Sequence, residues 1–134
     1  YVKAIAARLA EDTKLLMSEG INVLAVMSND YQVFDADSPA NMLRFAEQHG
    51  FTFPYLVDEN QHVGKQYGAV CTPDFFGFNA QGELQYRGRL DESRKETSPE
   101  GVKRDLLEAM KQVAQTGQGP LEQIPSMGCS IKWK

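Results

Sequence analysis

Few residues in this chain are suited to chemistry, and the first to consider are its two cysteines, Cys71 and Cys129. A cysteine is nucleophilic as the thiolate, which forms most readily beside a cation or at the N-terminus of a helix. Cys71 opens the run Cys71-Thr72-Pro73. The bond before a proline is the one peptide bond for which the cis form is inexpensive. The plain alternatives are a small buried hydrophobe at Cys71 and a trans proline opening a strand at Pro73. Cys129 lies between Gly128 and Ser130 in a tail without periodicity. It reads either as a second thiol on a movable segment, which disulfide chemistry needs, or as a packing residue. Spacing leaves a Cys71–Cys129 disulfide open. Arg87 and Arg89 alternate with Gly88, which puts both on one face of a strand. There they would polarise a peroxide or hold a carboxylate, or else form a solvated face paired with Asp91 and Glu92.

Other candidates carry less. His49 and His62 lack metal-ligand spacing, and two cysteines alone make neither a disulfide framework nor a four-ligand zinc site. Asp35 and Asp37 lack the glycine and terminal glutamate of a calcium loop. No glycine-rich phosphate loop or nucleophile elbow occurs. Neither a metal nor a cofactor is therefore expected. Fourteen Lys and Arg against eighteen Asp and Glu give a net charge of −4, which disfavours nucleic acid and anionic membranes as partners. No apolar run approaches the roughly eighteen residues of a membrane span.

The elements that must position these residues follow from periodicity. Val2, Ile5, Ala6, Leu9, Leu16 and Met17 recur at helical spacing, with Lys3, Arg8, Glu11 and Lys14 on other faces and Gly20 at the end. Nothing before Val2 supplies an N-cap, so this helix is expected to start upstream of Tyr1. Ile21 to Met27 reads as a parallel strand covered on both faces. Ser38-Pro39 is a cap-plus-proline start for a helix running to Gly50. A strand over Phe53 to Val57 follows, kept at a sheet edge by Pro54, and then a brief helix from His62 to Tyr67. Asp74 to Asn79, the Gln81-Gly82 turn and Glu83 to Arg89 form an antiparallel hairpin. Ser98-Pro99 opens a last helix carrying Val102, Leu106, Leu107, Met110 and Val113 up to Gly117.

This order, with Tyr67-Gly68-Ala69-Val70-Cys71-Thr72-Pro73-Asp74-Phe75-Phe76-Gly77-Phe78, resembles the proline-strand region of the thioredoxin-like proteins related to the alkyl hydroperoxide reductase and thiol-specific antioxidant superfamily. Phe53-Pro54-Tyr55-Leu56-Val57-Asp58 is similar to its phenylalanine-proline strand. Asp37-Ser38-Pro39, Tyr86-Arg87-Gly88-Arg89-Leu90-Asp91 and Gly128-Cys129-Ser130-Ile131-Lys132-Trp133 resemble a peroxiredoxin-like subgroup.

The resemblance implies an α/β, thioredoxin-like three-layer fold with a mixed sheet whose N-terminal strand or strands are missing. Residues 1–117 would form the domain and 118–134 a tail packed on it. It further implies a cis Thr72–Pro73 bond and a reactive Cys-Pro pair directly before Tyr1-Val2-Lys3, at the start of the first helix. The missing strand would be central, between Ile21–Met27 and Asp74–Asn79, leaving an isolated chain unstable or self-associating. The implied activity is thiol-dependent, antioxidant reduction of peroxides or protein disulfides, recycled by a thiol protein such as a thioredoxin. Cys71 and Cys129 would be resolving or supporting thiols, and Tyr1, Thr72, Pro73, Arg87 and Arg89 would border the substrate. The chain alone would then have no meaningful peroxide turnover. A homodimer and a cytoplasmic location fit the same picture. The rival from another class is a non-catalytic module that pairs an extended peptide with the proline-side groove.

Overall fold

The structure is a computed structural model and describes residues 2–93 and 102–134. Tyr1 and the Ser98-Pro99 start lie outside the described residues. The first helix, α1, spans Val2–Ser18 and buries Ile5, Ala6, Leu9, Ala10 and Leu16, as the apolar spacing requires. Asp12 and Thr13 are buried on the same helix, which hydropathy did not foretell. Thr13 satisfies its hydroxyl within α1 by donating to Leu9 O at 2.7 Å. Asp12 is held by Arg104, whose Nε donates to Asp12 Oδ1 at 3.0 Å.

Strand β1 is Ala25–Met27, shorter than the apolar run suggested. Ile21 and Val23 lead into it and pack on the core without joining the ladder. The expected cover on both faces is absent among the described residues, since Val26 remains 38% exposed. Helix α2 spans Pro39–His49 behind a short 3-10 turn at Asp35–Asp37, and Ser38 Oγ accepts from Asn41 N as a cap should. Strand β2, Tyr55–Val57, pairs with β1 in parallel, Val26 opposite Leu56. Pro54 contributes only its carbonyl, accepting from Ala25 N at 2.9 Å.

Helix α3, His62–Tyr67, leads to the two-residue strand β3, Cys71–Thr72. The hairpin is β4, Phe75–Phe78, against β5, Leu84–Gly88, antiparallel with an irregularity at Gly77/Phe78. Helix α4 spans Asp105–Thr116, so Val102 precedes the helix rather than lying in it. Arg104 N donates to Glu108 Oε2 at 2.9 Å, giving the start of α4 a substitute for a capping side chain. The chain then crosses back over the domain to β6, Cys129–Ser130, which is antiparallel to β3.

The sheet is mixed in direction, but it is built from three two-stranded ladders: β1–β2, β3–β6 and β4–β5. They are unified by packing. Ile5, Leu9 and Leu16 of α1 meet Leu106, Leu107 and Met110 of α4, with Tyr86 and Leu90 beneath and Phe51 and Phe75 at the rim. No helix among the described residues is long and apolar enough to cross a membrane.

Leu107, 4% exposed, should lose about 2–5 kcal/mol on truncation to Ala, read as a lower urea midpoint. Leu43, 62% exposed on α2, should change by less than about 0.5 kcal/mol when made Ala.

Candidate functional site

Cys71 and the start of α1 converge on the segment after β3. The Thr72–Pro73 bond is cis. Pro73 lines a narrow crevice of about 10 Å³ together with Ile5, Phe75, Arg89, Leu90, Asp91, Ser126 and Met127. That volume holds roughly one water. One wall is thus the first turns of α1, and another is the returning tail.

Cys71 is half-buried beside this crevice, its thiol 3.4 Å from Pro73 O and 3.8 Å from Ser126 O. Burial pushes the Cys71 thiol up, the Asp74 charge adds to this, and Ser126 and Arg87 offset only part of it. At neutral pH Cys71 is therefore a protonated thiol, the opposite of an activated nucleophile. Cys129 is exposed on β6. The ladder sets Cys71 across from Ser130 and Thr72 across from Cys129. Side chains alternate along a strand, so the two thiols face opposite sides of the ladder and are not arranged to join each other.

The two arginines are held by different groups. They also pair with partners other than Asp91 and Glu92. Arg87 donates to Gly68 O at 2.8 Å and Asp74 Oδ2 at 3.1 Å, and stacks 4.9 Å over the Phe76 ring. Arg89 lies against Asp105 Oδ2 at 3.1 Å, largely buried, and contributes to the crevice. Asp91 is taken by Arg8, whose Nε donates to it at 2.8 Å. Thr72 donates its hydroxyl to Cys129 O at 3.4 Å.

Polar side chains that periodicity could not reveal hold the surrounding elements together. Burial pushes the Asp12 carboxyl up and its bond from Arg104 only partly offsets this, while the Arg104 guanidinium is held up by Asp12. Asp58 is buried too, which alone would raise its pKa. Hydrogen bonds from Gly64 N, Ser28 Oγ and Val63 N outweigh that and hold it below the usual carboxylate value. Gln61, fully buried in a left-handed conformation, donates to Ser28 O and Lys132 O and accepts from Lys134 N. It clamps the tail to the end of β1.

Elsewhere, His49 packs its ring on Phe45 at 4.4 Å, and His62 is exposed at the start of α3. Asp37 accepts from Asn29 Nδ2 at 3.0 Å. A larger cavity of about 310 Å³ borders Val26, Leu56, Val63 and Glu59 and shares no residue with the crevice. Size alone would favour it. Its one buried carboxylate, Asp58, is already saturated by hydrogen bonds, so the chemistry points to the crevice.

Residues 2–106 match the family model described as Redoxin. Two solved structures cover the whole chain. A hypothetical protein from Sinorhizobium meliloti 1021 is 35% identical with a TM-score of 0.92, the match covering 73% of that protein's chain. An uncharacterized conserved protein from Geobacillus kaustophilus is 40% identical with a TM-score of 0.91 and is covered over 71%. No curated protein matches the chain.

Two measurements test this geometry. In a Cys129→Ser chain, alkylation of Cys71 by iodoacetamide should be slow at neutral pH, with a midpoint above that of an ordinary thiol, and Asp74→Asn should speed it. The lowered Asp58 pKa contributes stability above its unfolded value of about 3.9, lost as pH falls through the lower folded value. Asp58→Asn should therefore cost about 1–3 kcal/mol at pH 7 and flatten the acid limb of the unfolding curve.

Proposed function

The chain belongs to the redoxin family, whose general thioredoxin-like redox function is the premise here, and we propose that it forms most of a thiol-dependent oxidoreductase that reduces peroxides or disulfides. One observation supports this reading above the others: the start of α1, Pro73, Cys71 and the Cys129-bearing tail meet around a single crevice. Free amide groups and the helix dipole at an N-terminus stabilise a thiolate. In this reading the attacking thiolate is the cysteine that the resemblance assigns ahead of Tyr1. Cys71, protonated by burial and by Asp74, supports the site without attacking.

The thiolate sulfur attacks one peroxide oxygen, the O–O bond breaks, and the departing alkoxide or hydroxide takes a proton. The sulfur is left as a sulfenic acid. A second thiol condenses with it, forming a disulfide and releasing water. Exposed Cys129 fits that role better than Cys71. A thiol protein such as a thioredoxin then returns two electrons and two protons by disulfide exchange. Of the two arginines only Arg89 lines the crevice wall, where Asp105 holds it at 3.1 Å, whereas Arg87 is held by Asp74 and Gly68. The peptide-binding rival is less favoured, because the β3 edge is already paired with β6.

A thiol-coupled peroxide assay tests this. The 134-residue chain should give no meaningful turnover, and a chain carrying Cys-Pro before Tyr1 should consume peroxide. Cys129→Ser in the longer chain should spare sulfenic acid formation and slow recycling. Turnover by the 134-residue chain that Cys71→Ser abolishes would move the attack to Cys71 and defeat the assignment.

A further inference from the structure

An exposed strand edge carries unpaired N–H and C=O groups and so invites any extended chain to pair with it. Beside Pro73 this edge is occupied by the protein's own tail. Cys71 is paired with Ser130 and Thr72 with Cys129. The approach is close: a Cβ on Gly128 would lie 2.1 Å from Thr72 O and 3.1 Å from Pro73 N, so only glycine fits there. Pro73 O is also engaged, accepting from Ser126 Oγ at 2.5 Å. We propose that β6 is a built-in occupant of the β3 edge: while the tail is seated no extended polypeptide pairs beside Pro73, and a polypeptide partner gains the edge only by exchanging with the tail.

Magnitudes favour this arrangement. The β3–β6 ladder has only two residue pairs, and each hydrogen bond contributes on the order of 1 kcal/mol net. The tail is held mainly at its flanks. Ile124 O accepts from Arg89 N at 2.9 Å on one side. On the other, Lys132 O accepts from Asp30 N at 2.8 Å and from Gln61 Nε2 at 2.9 Å, and Ile131 is buried. A short tethered segment acts at an effective concentration of roughly millimolar, so a micromolar competitor faces a handicap of about a thousandfold. Weakening either the close approach or the flanking clamp should remove that handicap without altering β3.

The probe is a fluorescein-labelled peptide of residues 121–131, which stops short of the two residues that Gln61 holds, titrated by anisotropy into the full chain and into two variants. Gly128→Val makes the tail clash with Thr72, and Gln61→Gly keeps the left-handed backbone while removing the bonds to Lys132 and Lys134. Tryptic cleavage after Lys132 reports whether the tail has lifted. The natural chain should bind the peptide at least tenfold more weakly than either variant, and both variants should be cleaved faster. Equal binding by all three chains would overturn the proposal, as would lifted tails that bring no gain in binding. A tail as protected in both variants as in the natural chain would show that these contacts do not seat β6, and would contradict it equally. Binding needs no thiol chemistry, so its outcome is separate from that of the peroxide assay.

Discussion

Two strand pairs that exchange no ladder hydrogen bond, β1–β2 and β4–β5, must be kept at a fixed spacing, and everything around the crevice depends on what does so. The first agent is apolar burial. Side chains such as Ile5, Leu9, Leu106 and Leu107 each contribute roughly 1.5–3 kcal/mol when taken from water, and together they pin α1 and α4 to one another and to β5. The second is the tail, whose carbonyls at Ile124 and Lys132 accept from Arg89 beyond β5 and from Asp30 beyond β1. Each such bond is worth only about 1 kcal/mol, but the pair bridges the two ladders where burial does not reach. The crevice, with Ser126 and Met127 in its wall, lies along this bridge.

Buried charge sets the orientation that apolar packing leaves free. Arg8 on α1 grips Asp91 just beyond β5, and Arg104 at the start of α4 grips Asp12 on α1. Such pairs add little net stability, because desolvation consumes most of the Coulombic gain. Their effect is directional: a rotation of α1 would strand Asp12, nearly fully buried, without its partner. Ile5 is thereby kept facing Pro73. A helix N-terminus intended to stabilise an anion needs that constancy, since its field fades within about one turn.

Much of this was legible in the residues. Ser38-Pro39 and Gly50 bracket α2 because capping is local chemistry, and the alternation of Leu84 to Arg87 marks β5 because one face is buried. The resemblance carried by Cys71-Thr72-Pro73 pointed to the segment that lines the crevice. What escaped is non-local. Asp12 and Arg104 are 92 positions apart, and nothing in either neighbourhood signals the other. Gln61 looks like a loop residue until its amide is seen to join β1 to the tail. Arg89 pairs with Asp105 on α4 rather than with the neighbouring Asp91, a partner that its own neighbourhood does not signal. Ser126 and Met127 stand in a tail without periodicity, so their place in the crevice depends wholly on where that tail lands.

The tail bridges the two ladders and forms part of the crevice wall. Native-state hydrogen exchange at the Arg89 and Asp30 amides, followed by NMR, tests it most directly, because their acceptors are tail carbonyls at opposite ends of the bridge. Both amides should be protected well above unstructured-peptide rates, and truncation after Gln123 should deprotect both. Exchange of either amide at peptide rates in the intact chain, or protection that survives the truncation, would contradict it.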